Sequence, residues 1–425
     1  MNHEDEKIPV DQQETENIAE EPQRQAVPEM PSPPRRSFRQ WLRDLFSDNE
    51  ISSDDEEEEL LKSTGSPISN FIYRYIYKKQ CPYCFHYVSG RVYIEKHAPK
   101  QRTSVSRIPF SMPRIKTCVC PTCRKELPAD FFDNRSSSIA IVGGHDSGKS
   151  SFITVLCELL IHRRTTLSEL GIFGSIINEE GKDLFEDNRR FLIDQRRALN
   201  PTLNKAPIIL RIHSIHHNKV TYLTLIDTPG ENFSRIDELT KHHANLRFAQ
   251  GIIFLMNPLD IRELFHLIQE AQRGIVPVQP DIKTSNYDIV ENLYELFRRG
   301  DRIKSNRKIQ VPTAFCLSRA DLLEGVANVT LSPDFEADLT DIRDIMDEAK
   351  SASEDLMELL EETDINLLHI MKARFNRYNV FPVSPLGKQP VESALGSEIH
   401  GGIDPKGILM PIIWMLKEIN FIKVS

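Results

Sequence analysis

Residues 143–150 constrain this chain more than any other segment, because they read GGHDSGKS and fit the pattern G-x-x-x-x-G-K-[ST]. The short apolar run 138–142 precedes them, and an apolar helical segment, 152–161, follows. Strand, glycine-rich loop and helix is the order that points backbone N–H groups at a bound anion. Gly143 and Gly148 let the backbone wrap a phosphate, because neither carries a Cβ. We therefore predict a phosphate-binding loop.

The side chains of this loop have distinct expected roles. Lys149 is expected to reach the β- and γ-phosphates of a nucleotide, and the Ser150 hydroxyl is expected to hold Mg²⁺. The residues predicted to contact the nucleotide here are Gly143, Gly144, His145, Asp146, Ser147, Gly148, Lys149, Ser150 and Ser151.

Five further segments are predicted to be strands of the same sheet. They are short and apolar, and they comprise residues 207–215, 219–226, 251–256, 309–317 and 379–383. A polar turn at 216–218 joins the first two. Because strands alternate with helical segments, we predict an α/β fold with a doubly wound sheet.

Three of these strands lead into polar motifs, namely DTPG at 227–230, SRAD at 318–321 and SPLG at 384–387. Polar motifs at the carboxyl ends of strands are typical of a doubly wound sheet. In the first motif, Asp227 is expected to join the Mg²⁺ shell. The N–H of Gly230 is expected to sense the γ-phosphate.

Two C-x-x-C pairs predict a structural zinc site upstream of the phosphate loop. Each knuckle can present two thiolates to one tetrahedral ion. The predicted ligands are Cys81, Cys84, Cys120 and Cys123. The gap between the knuckles is longer than in compact zinc ribbons, so Cys118 and His86 are kept as substitute ligands.

The segment between the knuckles is basic. Residues 85–117 hold seven Lys or Arg and one acid, with aromatic residues interleaved. This composition suits single-stranded nucleic acid, an acidic protein segment, or a solvated loop, and the residues do not decide between the three.

The N-terminal segment carries the negative charge of the chain, whose net value is −9. Residues 1–60 hold 18 acidic and 6 basic residues, and they are proline-rich. Such a segment buries too little apolar surface to offset its ordering entropy, so residues 1–69 are predicted to be disordered.

One stretch of this tail, residues 36–47, is predicted to be a short amphipathic helix. Its apolar residues recur at helical spacing and comprise Phe38, Trp41, Leu42, Leu45 and Phe46. Packing on the chain's own domain, docking to a protein partner and lying on a membrane surface are the alternatives.

Four motifs in order carry a resemblance to a known family. GxxxxGK[ST], DxxG, [NT]KxD and SA[KL] correspond to residues 143–150, 227–230, 318–321 and 384–386. The chain resembles GTPases of the translation-factor-related (TRAFAC) clade of P-loop NTPases. More narrowly, it is similar to the bacterial double-GTPase (type 2) family, in which a cysteine-knuckle module precedes the GTPase domain. DTPGE, SRADLL and the closing PIIWML carry the narrower match, which covers residues 70–425.

The resemblance implies how the base and the metal are held. Asp321 is expected to accept two hydrogen bonds from guanine, Arg319 to lie along the base, and Ser384 to support it through its backbone. A switch I threonine is expected to ligate Mg²⁺ together with Ser150. Thr202 is the first candidate for it, and the alternatives are Thr165 and Thr166.

Three positions depart from the family pattern. Ser318 replaces an Asn or Thr, which makes guanine specificity less secure. Glu231 stands where many relatives carry Gln or a hydrophobic residue, near the expected γ-phosphate. Asp146 stands where some members have an Asn that helps to recruit K⁺. Hydrolysis is therefore expected to be slow and to need a partner or a self-dimer, with Lys149, Thr202 and Glu231 as the catalytic candidates.

We predict a tail at 1–69, a zinc-ribbon-like module at 70–130 and a GTPase domain at 135–425. No apolar run approaches the roughly 18 residues that cross a bilayer. The N-terminus lacks the apolar core of a signal peptide. The expected protein is a cytoplasmic, Mg²⁺-dependent GTP switch that binds GTP and GDP, carries Zn²⁺ and has a protein partner. A pseudo-GTPase scaffold, an ATP-using enzyme and a nucleic-acid adaptor are the alternatives.

Overall fold

The computed structural model describes residues 62–63, 79–86, 88, 92–97, 114–162, 167, 170–199, 206–228, 236–271, 285–299, 307–327, 329, 331, 334, 341–393 and 396–423. All of these residues belong to one compact unit, Glu57–Ser425. The predicted helix at 36–47 lies outside the described residues, as does the rest of the predicted tail apart from residues 62–63.

A three-stranded antiparallel sheet accompanies the cysteine knuckles. Its strands, in spatial order, are β1 (Lys62–Ser63), β2 (Val92–His97) and β3 (Arg114–Val119). Strands β2 and β3 pair from Val92 opposite Val119 to His97 opposite Arg114. The long gap between the knuckles therefore contains two paired strands.

A seven-stranded mixed sheet forms the centre of the molecule. Its strands are β4 (Arg135–Gly143), β5 (Ile172–Ile176), β6 (Ile208–Ser214), β7 (Lys219–Asp227), β8 (Gly251–Met256), β9 (Thr313–Leu317) and β10 (Tyr378–Pro382). The spatial order is β10-β9-β8-β4-β7-β6-β5. The first five of these run parallel, whereas β6 is antiparallel to both of its neighbours. The predicted α/β sheet is confirmed, and β5 is an edge strand that the sequence pattern did not indicate.

Eight α-helices occur in the described part of the chain. They are α1 (Lys149–Ile161), α2 (Glu179–Arg189), α3 (Ile236–His243), α4 (Arg262–Ala271), α5 (Asn286–Arg299), α6 (Ile342–Thr363), α7 (Ile365–Arg374) and α8 (Leu409–Glu418). A π-helical turn, Arg190–Asp194, extends α2. None of these helices has the length and apolar character needed to cross a membrane.

Helices cover both faces of the sheet because β4 is apolar on both sides. Ile139 and Ile141 belong to the core that contains α1 and α8. Ala140 and Val142 point the other way, into the core that contains α4 and α5. Successive side chains of a strand alternate between faces, so a continuous apolar run marks a strand covered twice.

A small hairpin follows the last strand of the large sheet. It consists of β11 (Val391–Ser393) and β12 (Gly396–Glu398). Its far end is tied to the residues after α2, because Ala198 N donates to Ser397 O at 3.0 Å and Ile399 N donates to Arg196 O at 2.7 Å.

Sheet topology itself points to a ligand site. When the five parallel strands are numbered along the chain, their spatial order is 2-1-3-4-5, as the order β7-β4-β8-β9-β10 shows. In such sheets, ligands bind outside the carboxyl ends of the strands, at the point where the strand order reverses. That point lies between β4 and β8, and β4 ends in the glycine-rich loop.

Candidate nucleotide and metal sites

The glycine-rich loop lies between β4 and α1, as the motif predicted. A Cβ on Gly143 would lie 2.4 Å from the Leu255 carbonyl oxygen of the neighbouring strand, so only glycine fits there. Gly148 adopts φ +79° at the start of α1, a backbone conformation that residues with a Cβ rarely adopt. Both glycines are therefore required by the backbone path.

Lys149 is held inside this loop. Its side chain is buried, and its Nζ donates to Gly143 O at 3.0 Å, to Gly144 O at 2.5 Å and to Ser147 Oγ at 3.2 Å. Ser147 Oγ in turn donates to Gly144 O at 3.0 Å. The loop thus encloses a fixed positive charge beside the backbone N–H groups at the start of α1, which is the chemistry an oligophosphate requires.

Ser150 and Asp227, the two described candidates for Mg²⁺ ligation, lie side by side. Ser150 Oγ donates to Asp227 Oδ2 at 3.3 Å. The next residue, Thr228, is buried, and its Oγ1 donates to Ile141 O at 2.7 Å. This bond fixes the end of β7 against β4. A hydroxyl and a carboxylate at this separation are oxygen ligands of the kind that Mg²⁺ uses.

Some residues predicted to lie near Mg²⁺ and the γ-phosphate fall outside the described residues. They are Thr202, Gly230 and Glu231, together with the alternatives Thr165 and Thr166. Their placement therefore stays a prediction. Ser151 lies in the first turn of α1, half-buried.

The carboxyl ends of β9 and β10 bring Asp321 and Ser384 together. Ser384 Oγ donates to Asp321 Oδ1 at 2.5 Å. The other carboxylate oxygen, Oδ2, accepts from Gln389 Nε2 at 2.6 Å. A carboxylate whose two oxygens are each held by a hydrogen bond can accept from a pair of adjacent N–H donors on the edge of a base. Gln389 belongs to no motif, and the sequence analysis missed it.

Ser318 and Arg319 have different neighbours from Asp321. Ser318 is buried, and its Oγ donates to Met256 O at 2.9 Å, so it braces β9 against β8. Arg319 adopts φ +50°, and its Nη2 donates to the carbonyl oxygen of Asp146 at 3.2 Å. The base-side motif and the phosphate loop are therefore in direct contact.

Charged side chains surround this contact. His145 Nδ1 lies 3.0 Å from Asp146 Oδ2. Asp260 follows β8, and burial raises its pKa to about 6, with a further upward effect from Asp146 that Arg319 opposes. A Cβ built on Gly144 would lie 4.0 Å from Asp260 Oδ2. No sequence motif includes Asp260, because its burial depends on the turn after β8.

The four knuckle cysteines form a single cluster. Their Sγ atoms all lie within 4.8 Å of one another. The Sγ atoms of Cys81 and Cys123 are 3.7 Å apart, as are those of Cys84 and Cys120. A disulfide would need about 2.05 Å, so the thiols are not bonded. Four sulfurs about 2.3 Å from one tetrahedral ion lie roughly 3.8 Å apart, which fits the observed separations.

The two knuckles have the same backbone geometry. In the first, Cys81 N donates to His86 O at 2.9 Å, and Phe85, at φ +62°, donates to Cys81 O at 2.9 Å. In the second, the corresponding bonds are Cys120 N to Lys125 O at 3.0 Å and Arg124 N to Cys120 O at 2.9 Å. A repeated local turn therefore sets the positions of all four thiols.

The substitute ligands belong elsewhere. Cys118 is buried in the small core of the knuckle region and is not part of the four-thiol group. The exposed His86 ring has its Nδ1 3.1 Å from Cys84 O, and it packs near Phe248 with ring centroids 6.0 Å apart. The knuckle thiols alone can therefore supply four ligands to a metal.

The cysteine region packs against the amino-terminal ends of the parallel strands. Gln80 is buried there, and its Nε2 donates to Phe248 O at 2.9 Å. Its Oε1 accepts from Ser138 Oγ at 3.4 Å, near the start of β4. Lys79 Nζ donates to the carbonyl oxygens of Phe131, Phe132 and Asn134. The cysteine cluster and the phosphate loop thus lie at opposite ends of the same strands.

Asp130 links this region to the antiparallel strands. It accepts from Tyr222 Oη and, at 3.1 Å, from Arg211 Nη2. Burial acts to raise the pKa of Asp130, but the hydrogen bonds from Tyr222 and Arg211 outweigh it and lower the pKa. The same contact raises the pKa of Arg211.

The described residues therefore form an α/β fold with a doubly wound sheet of the P-loop NTPase type, with a cysteine cluster that could hold a metal ion. No protein-family model matches the chain. Among curated proteins, the chain is similar to the putative ESX-1 scaffolding and assembly protein SaeC of Mycolicibacterium smegmatis, with 23% identity over 248 residues. The match covers 55% of this chain and 58% of that protein, so the chain spans less than two thirds of its relative.

Three solved structures similar to this chain contain GTP or a GTP analogue. The GTP-bound GTPase-like domain of S. cerevisiae Ski7 has 14% identity and a TM-score of 0.30, covering 70% of this chain and 54% of that one. The elongation factor SelB of Methanococcus maripaludis has 13% identity and a TM-score of 0.22, covering 59% and 30%. The SRb-GTP/SRX complex of Chaetomium thermophilum has 13% identity and a TM-score of 0.25, covering 60% and 93%. At such TM-scores the function has to be inferred from this chain's own residues.

Proposed function

We propose that this chain binds GTP and GDP with Mg²⁺ and acts as a switch that hydrolyses GTP slowly and signals through a protein partner in the cytoplasm. One observation carries the proposal. The carboxyl ends of the parallel strands bring together the Lys149 loop, the Ser150–Asp227 pair and the Asp321–Ser384 pair. We assign these groups as a phosphate site, a Mg²⁺ site and a base site at the carboxyl ends of the strands, where ligands bind in such sheets.

Each group has a separate task in this proposal. Lys149 neutralises phosphate charge, and Ser150 with Asp227 would hold the metal ion. Asp321 accepts hydrogen bonds from the guanine edge, while Arg319 connects the base site to the phosphate loop. Thr202 as a third Mg²⁺ ligand, and Gly230 and Glu231 at the γ-phosphate, complete the proposal.

A guanine-versus-adenine comparison tests the base assignment. The wild type is expected to bind GDP at least tenfold more tightly than ADP in the presence of Mg²⁺. Asp321→Asn should lose guanine affinity and gain affinity for xanthine nucleotides, because the donor and acceptor pattern of the pair is exchanged. Asp237→Asn is the matched control, since Asp237 pairs with Arg299 on an exposed surface. Equal affinity of the wild type for GDP and ADP would contradict the proposal.

A structural Zn²⁺ in the cysteine cluster belongs to the same proposal, as does membership of the bacterial double-GTPase family. The sulfur separations match a closed tetrahedral site, in which all four positions are filled by protein. The metal would then stabilise the knuckle region and would have no part in nucleotide chemistry.

The alternative is a pseudo-GTPase scaffold that holds nucleotide without turnover. Ser318 favours it, because its hydroxyl is engaged with β8 and not with the Asp321 carboxylate. The M. smegmatis relative is itself a putative scaffolding and assembly protein. Phosphate release under single-turnover conditions decides between the two, with Thr202→Ala as the variant expected to lose hydrolysis while keeping GDP affinity.

A further inference from the structure

Gln389 contacts the carboxylate that is proposed to read the base. Its Nε2 donates to Asp321 Oδ2 at 2.6 Å, while Ser384 Oγ donates to Oδ1 at 2.5 Å. Each oxygen of Asp321 therefore already accepts one protein hydrogen bond. Gln389 lies just before β11, outside every motif of the site.

The acceptor capacity of Asp321 suits this arrangement. A carboxylate has two oxygens and about four lone-pair positions. Two protein donors leave about two positions open, and a guanine edge offers two adjacent donors, the ring N–H and the exocyclic amino group. A carboxylate whose plane is fixed from one side can thus accept both base donors on the other.

The loop that carries Gln389 is held in place. Gly387 N donates to Ser384 Oγ at 2.9 Å, which directs the serine hydroxyl proton toward Asp321. Ser384 and Lys406 exchange two backbone hydrogen bonds, of 2.8 and 2.9 Å.

The turn at Gly387 tightens this loop further. Gly387 adopts φ +72°, and a Cβ there would lie 1.7 Å from Asp404 O. Asp404 N also donates to Leu386 O at 2.9 Å. Because the loop is braced on both sides, the Gln389 amide meets Asp321 from a preorganised position, which reduces the entropy lost on binding.

The neighbouring residues of the SRAD motif, Ser318 and Arg319, direct their side chains to other partners than the Asp321 carboxylate. The Ser318 hydroxyl donates to Met256 O at 2.9 Å, and the Arg319 guanidinium donates to Asp146 O at 3.2 Å. Both groups thus brace the loops around Asp321 and leave the orientation of its carboxylate to Ser384 and Gln389.

We propose that Gln389 is a specificity-determining residue that fixes the plane of the Asp321 carboxylate and so favours guanine over bases with one edge donor or none. This inference rests on the proposed function, in which Asp321 reads the base. Gln389 acts through Asp321 and is a positioning residue.

Two isosteric variants of the full-length chain test the inference. Gln389→Met keeps the side-chain length without a donor, and Gln389→Glu replaces the donor by a negative acceptor facing Asp321. Gln310→Met is the matched control, because the Gln310 amide contacts Lys308 O and Asn376 on an exposed surface. Affinities for GDP, IDP and ADP are measured with Mg²⁺. IDP lacks the exocyclic amino group and so offers one edge donor.

Gln389→Met is expected to weaken GDP binding by about tenfold, the usual effect of losing one hydrogen bond near a charged group. It should weaken IDP binding less, so the GDP-to-IDP preference falls. Gln389→Glu should lose more, because two carboxylates would face each other. ADP affinity and the Gln310→Met control should not change.

Three results for Gln389→Met would overturn the inference. Tighter GDP binding would mean that Gln389 competes with the base. Parallel losses for GDP and IDP with a lower melting temperature would mean a purely structural role. Unchanged affinities would mean no role. Failure of the proposed function is distinguishable, because it would be read from the wild type as equal affinity for GDP and ADP.

Discussion

The two ends of strand β4 carry sites that are built in different ways. At its start, Ser136 and Ser138 hydrogen-bond to Gln80 of the first cysteine knuckle. At its end, Gly143 begins the phosphate loop. The cysteine cluster takes its four thiols from two copies of one local turn, whereas the proposed nucleotide site takes its side chains from the ends of four strands.

The difference shows what each site depends on. A C-P-x-C turn fixes its own two thiols through bonds within six residues, so the metal geometry needs little from the sheet. The nucleotide site that we propose depends on the sheet. It brings Asp321, Ser384 and Lys149 to the same end of the sheet only if β4, β9 and β10 keep their register. Gly143 lies seven residue steps after Ser136 along β4, about 23 Å at the usual strand rise. Damage at one end should therefore leave the other end largely intact.

The largest expected effect comes from breaking the cysteine cluster. Cys120→Ser should remove the bound zinc and lower the free energy of unfolding of the knuckle region by roughly 5 kcal/mol, because metal binding contributes directly to folding. GDP affinity should change by less than about threefold. Elemental analysis, thermal unfolding and nucleotide titration check the three parts.

Cys157→Ser and Cys316→Ser are the controls for zinc content, since both thiols are buried within the large sheet's cores. They should keep a full equivalent of zinc whatever they do to stability. A full equivalent in Cys120→Ser, or less than about half an equivalent in the unchelated wild type, would show that the ligand set is wrong.

The converse experiment removes the lysine of the phosphate loop. Lys149→Ala should weaken GTP binding at least several hundredfold, which corresponds to about 3.5 kcal/mol. The reason is that the variant lacks the buried ammonium group of the loop, which is proposed to contact the phosphates. Zinc content should stay at one equivalent. Lys350→Ala, on the exposed face of α6, is the matched control. Retention of tight GTP binding in Lys149→Ala would remove the phosphate assignment.

Sequence patterns predicted the parts of this molecule that depend on local order. The predicted strands 138–142 and 251–256 lie within β4 and β8, and the predicted strand 379–383 overlaps β10 except for its last residue, because a continuous apolar run marks a strand covered on both faces. The phosphate loop and the four-thiol cluster follow from short motifs whose spacing fixes their geometry.

Long-range contacts were beyond the reach of such patterns. The partners of Asp321 depend on where the loop after β10 folds back, so Gln389 carries no sequence signal. Segment 160–200 contains none of the predicted motifs or strands, yet it contributes edge strand β5 and helix α2, with Phe185 buried in the main core. Asp334 likewise belongs to no motif, although it is buried.

Asp334 holds the start of α8, and it is expected to make stability depend on pH. Its carboxylate accepts from Ile408 N at 2.7 Å and Leu409 N at 3.1 Å, at the start of α8. Burial raises its pKa to about 7, helped by the charges of Glu348 and Asp404 and opposed by the two backbone hydrogen bonds. Burial also raises the pKa of Glu348.

The sign of the pH effect follows from this raised pKa. Between an unfolded value near 3.9 and the folded value of about 7, the folded chain holds a proton that the unfolded chain has lost. Stability should therefore fall by about 2 kcal/mol from pH 5 to pH 7. Asp334→Asn mimics the protonated acid and should flatten this slope in urea unfolding, whereas the exposed Asp237→Asn should not. An unchanged slope in Asp334→Asn would assign the titration to another group, with Glu348 first.

The smallest expected effect concerns the contact between the cysteine region and the antiparallel strands. Tyr222 is fully buried, and its hydroxyl donates to Asp130, which also accepts from Arg211 and Asn134. Tyr222→Phe should cost only about 1 kcal/mol, because the partly exposed Asp130 keeps two donors and water access. Zinc content and GDP affinity should not change.

Acid unfolding provides the sharper readout for Tyr222→Phe. The pKa of Asp130 is lowered in the folded chain because hydrogen bonds from Tyr222 and Arg211 outweigh the opposing effect of burial. Its contribution to stability is thus present above the unfolded value and lost as the pH falls through the folded value. The difference between wild type and Tyr222→Phe should shrink as the pH drops below about 4. Tyr294→Phe, whose hydroxyl donates to a neutral carbonyl, that of Arg307, should show a difference that does not depend on pH in this range. Equal pH dependence in the two variants would mean that Asp130 does not couple the cysteine region to the sheet through its charge.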